Sequence, residues 1–375
     1  MKLSLTSQDI TTPAFLVDHA ILKKNCDAMR EKARRSGVFF RPHVKTHKTP
    51  AIASMQFGAA TGPITVSTLA EAEFFARNGY DDITYAVPIS PDKLDRATNL
   101  AYQIKRFNLL IDSFEALKAL EEFHSTRETV FDVFLKVDCG YHRAGVDPDS
   151  PESIRLAQAM AKSPAIRFQG LLTHAGHSYN SRNPEEIRKV ASEETSALTR
   201  FRGRLDKKLN RLVRSTGSTP TASIVDEFQN TDEVRPGNYV FYDVFQARIG
   251  SCTLAQCAVS VLATVIGSYP QHKHLLVDAG ALALSKDLGP DHIDRECGYG
   301  IVCDLELHTL PLKLTVLSQE HGRIEAEPEI IARYPVGTRL RILPNHSCLT
   351  AAMYGVYHMV REGMISGQCN PVRGW

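Results

Sequence analysis

Short apolar runs alternate with longer amphipathic segments along the first two thirds of the sequence. Segments Ile21 to Ala33 and Leu69 to Arg77 carry apolar residues at helical spacing, and Thr68 with Glu71 predicts a capping box before the second. Alternating strands and helices predict βαβ units, and their number favours a closed (β/α)8 barrel over a doubly wound sheet. The strand-like runs are Phe15 to Val17, Val38 to Phe40, Ile64 to Val66, Ile83 to Val87, Phe107 to Ile111, Val133 to Val137 and Leu171 to Thr173.

The pattern changes after about Gln246. Short runs rich in Val, Leu and Thr, such as Ala258 to Ile266 and Thr338 to Leu343, are separated by turn-prone Gly and Pro residues. This pattern of short runs and turns predicts an antiparallel β domain. We therefore expect a barrel over residues 8–245 and a C-terminal β domain over residues 246–375, with residues 1–7 packing against the latter.

Composition and charge narrow the class of partner. The chain has 375 residues and a formal net charge of only +2, from 44 basic and 42 acidic side chains. Such a balance argues against nucleic acid or an anionic membrane as the main partner. No run approaches the ~20 apolar residues that span a bilayer, and the N-terminus lacks the apolar core of a signal peptide. We expect a cytoplasmic protein that binds a small polar molecule.

A polar segment follows one of the early strands. In Arg41 to Lys48, a period of two would place Arg41, His43, Lys45 and His47 on one strand face, pointing into the barrel near its C-terminal end. A lysine among these cations would have a lowered pKa, as an amine needs to form a Schiff base at neutral pH. A solvated basic strand end explains the spacing equally well.

At these residues the chain resembles the fold-type III pyridoxal-phosphate proteins, which have an alanine-racemase-type barrel. In that family a lysine in a Pro-His-x-Lys-Thr-His context carries the cofactor, so the resemblance implies this role for Lys45. Asp138 to Gly145 matches a segment whose arginine faces the pyridine nitrogen, which implies that role for Arg143. By the same resemblance, Tyr179 contacts the cofactor or the substrate. An ion-paired surface arginine is the alternative for Arg143.

Two glycine-containing turns are candidates for a phosphate site. Backbone N–H groups beside glycine, with nearby hydroxyls, can converge on an anion. The family pattern points to the same two segments, after late barrel strands. The predicted cofactor-binding residues of these turns are Gly217, Ser218, Thr219, Gly237 and Asn238.

A histidine and a cysteine near the C-terminus, His346 and Cys348, are candidate metal ligands. They would share one face of an extended segment. Imidazole with thiolate suits Zn²⁺, although His-x-Cys alone is a weak motif. Fold-type III members with a C-terminal β domain and a Pro-x-His-x-(Cys or Asp) element are the D-serine dehydratases and D-threonine aldolases. The Cys variant found here resembles the zinc-dependent dehydratases.

The resemblance implies a lyase that uses pyridoxal 5′-phosphate and Zn²⁺ to convert D-serine to pyruvate and ammonia. Lys45 would be the Schiff-base lysine and the base for the α-proton, and Zn²⁺ on His346 and Cys348 would assist departure of the hydroxide. It also implies a homodimer. The alternatives are a D-threonine aldolase, a 3-hydroxyaspartate dehydratase, a racemase, a non-catalytic pyridoxal-phosphate carrier, and a zinc hydrolase built on His43, His47 and His346.

Overall fold

The computed structural model describes residues 3–375, in two compact units. One comprises Asp27–Gly237 with Val372–Trp375, and the other comprises the residues up to Cys26 together with Asn238–Pro371. Residues 8–26 and 238–245 thus lie in the second unit, whereas the sequence division at Phe245 grouped them with the barrel. Within residues 3–375, none of the helices combines the length and the apolar character that a bilayer crossing demands.

Strands and helices alternate through the barrel unit, as predicted from the sequence. The strands are β1 (Leu3–Ser4), β2 (Ala14–Asp18), β3 (Phe39–Phe40), β4 (Ile64–Val66), β5 (Asp82–Pro88), β6 (Arg106–Ile111), β7 (Phe131–Lys136), β8 (Ile166–Leu172), β9 (Val213–Thr216), β10 (Glu233–Val234), β11 (Val259–Tyr269), β12 (His274–Val277), β13 (Ile301–Cys303), β14 (Thr309–Leu317), β15 (Gly322–Glu325), β16 (Arg339–Leu343), β17 (Tyr357–Arg361) and β18 (Met364–Cys369). The helices are α1 (His19–Arg35), α2 (Pro50–Phe57), α3 (Leu69–Arg77), α4 (Leu94–Gln103), α5 (Phe114–Arg127), α6 (Pro151–Lys162), α7 (Pro184–Gly203), α8 (Thr219–Ile224), α9 (Val244–Arg248), α10 (Ala281–Leu284), α11 (Pro328–Ile331) and α12 (Ser347–Ala352).

The first unit is a barrel of eight parallel strands. They are hydrogen-bonded in the order β3-β10-β9-β8-β7-β6-β5-β4. A parallel bridge between His43, just beyond β3, and Thr65 of β4 joins the two ends, so the ring closes. Buried faces of the helices share one core with the strands, which includes Phe75 of α3 and Ile83 of β5. The predicted (β/α)8 barrel is confirmed, and the doubly wound sheet is not formed.

The second unit contains a ten-stranded, mainly antiparallel sheet. Its order is β1-β18-β17-β2-β11-β12-β15-β14-β13-β16, and β11 also pairs with β16. The antiparallel C-terminal β domain is therefore confirmed. The prediction that Phe15 to Val17 opens the barrel is wrong, because Val17 pairs with Val259 of β11. A short buried apolar run fits either kind of sheet, so periodicity alone could not assign it.

The predicted cap of α3 shows how local sequence fixes a barrel helix. Thr68 is the N-cap, and its hydroxyl accepts the Glu71 N–H at 3.1 Å. The Glu71 carboxylate accepts the Ser67 N–H at 3.0 Å and pairs with Lys48 at 2.9 Å. The cap thereby also ties α3 to the segment that carries Lys45.

Candidate active site

Lys45 lies in a turn rather than on a strand. The backbone forms a 3-10 helix over Val44–Thr46, directly after the His43 bridge to Thr65. The expectation that Arg41, His43, Lys45 and His47 share one strand face is therefore wrong, because alternation ends at His43. The Lys45 side chain is exposed at this turn, while Val44 and Thr46 are buried.

Two of the four polar residues in that segment have structural partners elsewhere. The Arg41 guanidinium is buried and pairs with Asp82 at 2.6 Å and with Glu233 at 2.7 Å. His47 is buried, and its two ring nitrogens lie 3.1 Å from Gln56 Oε1 and 3.2 Å from the Thr49 nitrogen. With both nitrogens occupied, His47 is unsuited to bind a metal, which argues against the zinc-hydrolase alternative.

The burial of the His47 imidazole predicts how folding stability depends on pH. Burial lowers its pKa to about 4, from an ordinary value of 6.5. The unfolded chain therefore binds this proton first, and folding stability falls as the pH drops from about 6.5 to 4, by about 3 kcal/mol in all. Between pH 7 and 4.5, the melting temperature of wild type should fall further than that of His47→Gln, which has no titrating group at this position. If their difference does not change with pH, this assignment is incorrect.

Two imidazoles, those of His43 and His174, border the Lys45 turn. His43 Nδ1 accepts the Lys45 backbone N–H at 3.4 Å, and its Nε2 lies 3.3 Å from Ser67 Oγ. His174 Nδ1 donates to the Gly217 carbonyl at 2.7 Å, which leaves Nε2 without a proton when the ring is neutral. Burial, followed by the Lys45 charge, lowers the pKa of both imidazoles well below the ordinary value. Both rings are therefore neutral at pH 7.

The two predicted anion-binding turns meet within the barrel unit. Gly217 has φ +148°, and a Cβ there would lie 2.8 Å from the Arg235 nitrogen, so glycine is required. A Cβ on Gly237 would lie 3.0 Å from the His43 carbonyl oxygen. The Gly237 N–H donates to Thr219 Oγ1 at 3.3 Å. The turn that carries Lys45 therefore packs directly against Gly237.

Ser218 links the first turn to the loop that follows β8. Its hydroxyl lies 2.9 Å from Ser178 Oγ and accepts the Thr221 N–H as the N-cap of α8. The same loop continues into the 3-10 helix Gly176–Asn180, where Tyr179 is half-buried. The barrel unit thus holds Lys45 and six other predicted cofactor-binding residues: Arg143, Tyr179, Gly217, Ser218, Thr219 and Gly237.

Arg143 is exposed and stacks on an aromatic side chain. Its guanidinium lies 4.9 Å from the centroid of the Tyr141 ring, which in turn stacks on His177 at 6.1 Å. Asp138 Oδ1 shapes this loop by accepting the backbone N–H groups of residues 140–142. The Nδ1 atom of His177 is buried and has no hydrogen-bond partner within residues 3–375.

These observations fit pyridoxal 5′-phosphate. The site offers an exposed lysine amine, a turn with two buried hydroxyls next to the required Gly217, and an exposed arginine. It also has a buried ring nitrogen that lacks a hydrogen-bond partner among residues 3–375. A phosphate group needs such donors, and the cofactor aldehyde needs the amine.

The predicted metal ligands come together in the other unit. His346 is the N-cap residue of α12 and Cys348 lies in its first turn. The pair was expected on an extended segment, but it lies at the start of a helix. The two side chains nevertheless contact each other through a hydrogen bond. His346 Nδ1 lies 2.6 Å from Asp287 Oδ2. A carboxylate on one ring nitrogen orients the other toward a metal, so the donor set of imidazole and thiol fits Zn²⁺.

Asn238 lies beside this pair in the same unit. Its amide nitrogen donates to Asp243 Oδ2 at 2.9 Å, to Ser347 Oγ at 2.8 Å and to Cys348 Sγ at 3.4 Å. Asp243 also accepts the Ser347 N–H at 2.9 Å. Asn238 therefore supports the start of α12, a set of contacts that the phosphate-turn prediction did not include.

Three residues with clear contacts at the site were missed in the sequence. Asp287 precedes His346 by 59 residues, and no local pattern connects the two. Arg235 is buried and donates to the Ser215 hydroxyl and the Thr173 carbonyl, contacts that join segments far apart in the sequence. Glu194 did leave a signal, because it lies in the buried stripe of α7 with Ile187 and Leu198.

The whole chain is similar in sequence to known protein families and to individual enzymes. The alanine racemase N-terminal domain family matches residues 17–244, and a putative serine dehydratase domain matches residues 258–360. A D-serine dehydratase from Dictyostelium discoideum is 38% identical, with 98% of each chain covered. A D-threo-3-hydroxyaspartate dehydratase from Delftia sp. (strain HT23) is 37% identical, again with 98% of each chain covered.

A solved structure agrees with these matches. A cysteine-to-alanine variant of a D-threo-3-hydroxyaspartate dehydratase, in its metal-free form, superposes with a TM-score of 0.93 and 36% identity. The match covers 99% of this chain and 100% of that chain. The fold-type III resemblance inferred from the sequence is thereby confirmed.

Proposed function

Because this chain belongs to the D-serine dehydratase family, whose barrel is of the alanine racemase type, we propose that it converts D-serine to pyruvate and ammonia. Lys45 would hold pyridoxal 5′-phosphate, and His346 with Cys348 would hold Zn²⁺. The observation that carries the proposal is the packing of the Lys45 turn against Gly237, beside two neutral imidazoles of which one, His174, is bonded to Gly217.

The phosphate of the cofactor would be held by the turn at Gly217–Thr219. The hydroxyls of Ser218 and Thr219 are buried there, and Ser178 fixes the first of them. When bound, the cofactor supplies an electron sink for charge that develops at Cα, one that an arginine partner weakens by keeping the ring nitrogen unprotonated. Arg143, held over Tyr141, would be that partner.

Lys45 would act as the general base. In its free-amine form Lys45 Nζ takes the proton from Cα of D-serine. Neutral rings at His43 and His174 add no further positive charge beside that amine. The His174 ring is held by the Gly217 carbonyl, which keeps its proton on Nδ1 and its Nε2 as an acceptor.

Loss of the β-hydroxyl is the difficult step, because hydroxide is a poor leaving group. When bound, Zn²⁺ supplies a Lewis acid for that oxygen. His346 and Cys348 would be its ligands, with Asp287 orienting the imidazole and Asn238 donating to the sulfur. D-serine loses water to give 2-aminoacrylate, which takes up water to form pyruvate and ammonia.

Asp287 provides a specific test of the metal ligands. Asp287→Asn keeps the size of the side chain but removes the charge behind His346, so the Zn²⁺ dissociation constant should rise by about 10–100-fold. Competition with a fluorescent zinc chelator measures that constant. Asp291 is exposed in the neighbouring 3-10 helix Pro290–His292, so Asp291→Asn is the control and should bind Zn²⁺ as wild type does. If Asp287→Asn binds Zn²⁺ as tightly as wild type does, this carboxylate does not support the metal ligands.

A second candidate is dehydration of D-threo-3-hydroxyaspartate, favoured by the 37% identity to the Delftia dehydratase. Both reactions remove a β-hydroxyl and differ in the group at Cβ. The test supplies D-serine, L-serine, D-threonine and D-threo-3-hydroxyaspartate separately and identifies the products. Pyruvate from D-serine supports the proposal, and oxaloacetate from hydroxyaspartate alone supports the second candidate. Glycine with an aldehyde from D-threonine would indicate an aldolase.

The homodimer and the cytoplasmic location expected from the sequence stay predictions. Sedimentation of the purified protein measures the first, because a dimer has twice the chain mass of 41.6 kDa.

A further inference from the structure

Helix α7 carries a buried carboxylate in its apolar stripe. Glu194 is only 2% exposed, and its neighbours on that face include Ala191 and Leu198. An ionised carboxylate without partners would be strongly disfavoured in such a position. Its hydrogen bonds therefore indicate what the side chain does.

One oxygen atom of Glu194 accepts three hydrogen bonds. Oε1 lies 2.9 Å from Thr173 Oγ1, 3.2 Å from the Ala175 nitrogen and 3.1 Å from the Gly217 nitrogen. The first two donors follow β8, and the third follows β9. A single carboxylate oxygen thus joins the loop that contains Tyr179 to the turn proposed to hold the cofactor phosphate.

The bond from Glu194 completes the restraints on Gly217. Its N–H is held by Glu194, and its carbonyl by His174 Nδ1 at 2.7 Å. The required positive φ of Gly217 sits between these two bonds, so the peptide groups on either side have fixed directions. Ser218, the next residue, is then tied to Ser178.

Glu194 also balances buried positive charge. Burial and the Arg235 charge lower the pKa of Lys136 to about 7, and the Glu194 carboxylate opposes that shift. It acts in the same sense on Arg235, whose pKa burial lowers to about 10. The carboxylate is therefore both an acceptor for two loops and a counter-charge for two buried cations.

We infer that Glu194 is a positioning residue that holds the Gly217–Thr219 turn and the 173–179 loop in their binding arrangement before the cofactor enters. This rests on the proposed function, because it takes the turn as the phosphate site. Glu194 touches neither substrate nor cofactor in this account. It acts through Gly217, Thr173 and Ala175.

The test compares Glu194→Gln with Glu194→Ala in the full-length apoprotein. Glutamine keeps an oxygen where Oε1 accepts, so the dissociation constant for pyridoxal phosphate should rise by less than about 10-fold. Alanine leaves three donors without an acceptor, so that constant should rise by about 30-fold or more. The affinity for inorganic phosphate, measured by competition with the cofactor, should fall in the same order. Glu193→Ala, an exposed change on the same helix, should leave both constants unchanged.

A purely structural role would lower the melting temperature but leave the cofactor affinity of the folded protein unchanged. Wild-type affinity in folded Glu194→Ala therefore overturns the inference, as does an equal loss in Glu194→Gln. If Glu194→Ala does not fold, Thr173→Val removes one of the three bonds and keeps the carboxylate. A rise of about 3–10-fold in the dissociation constant then supports the inference, and no rise overturns it. Wild type that binds the cofactor but releases no pyruvate from D-serine refutes the proposed function alone.

Discussion

Replacing Lys45 with alanine is expected to reduce pyruvate release from D-serine by at least about 10⁴-fold, because one amine serves as both covalent anchor and base. The same variant should lose the imine absorbance band of the bound cofactor. Lys45→Arg should be as inactive, since a guanidinium keeps the charge but is not nucleophilic. Steady-state rates and absorbance spectra measure the two effects.

The control for Lys45 is a lysine outside the site. Lys189 is exposed on α7, and Lys189→Ala should keep both the rate and the spectrum. An unchanged imine band in Lys45→Ala would show that another amine holds the cofactor. The buried Lys136, with its lowered pKa, would be the first to examine by mass spectrometry after borohydride reduction.

Removing the thiol of the metal pair should separate cofactor binding from elimination. Cys348→Ala is expected to bind Zn²⁺ far more weakly and to release pyruvate about 10³-fold more slowly, since a Lewis acid contributes several kcal/mol and each ~1.4 kcal/mol is tenfold in rate. The imine band should persist, because Lys45 is intact. Zinc content by elemental analysis and the rate with D-serine provide the measurements.

Another half-buried cysteine supplies the matched variant. Cys369 is the last residue of β18, and Cys369→Ala should leave zinc content and rate at wild-type values. Cys348→Ala with full zinc content and full activity would contradict the metal assignment. Full zinc content with a slow rate would mean that the thiol acts in the reaction without binding the metal.

The fold was predictable from the sequence wherever the signal is local. Alternating runs and helical spacing identify the barrel, and Thr68 with Glu71 marks the start of α3 correctly. The Phe15 to Val17 run was assigned wrongly, because three buried apolar residues fit a parallel and an antiparallel sheet equally well. Its partner β11 lies more than 200 residues away, beyond the reach of any pattern.

The contacts at the site were less predictable than the fold. The role of Lys45 stays a prediction from family resemblance, whereas the strand argument for it was incorrect because the chain turns at Val44–Thr46. The supporting contacts are long-range. Asp287 behind His346 and Glu194 beneath Gly217 depend on tertiary packing that spacing does not encode. The acidic Glu194 in the apolar stripe of α7 was nevertheless visible in the sequence as a candidate buried carboxylate.

The most direct test of the central claim follows pyruvate formation from D-serine with the cofactor held constant and the metal varied. The protein is assayed as zinc-loaded, after chelation, and after Zn²⁺ is returned. We expect the chelated form to retain its imine band and to lose at least about 100-fold in rate, with recovery on adding Zn²⁺. Equal rates of pyruvate release in the loaded and stripped forms would contradict the account.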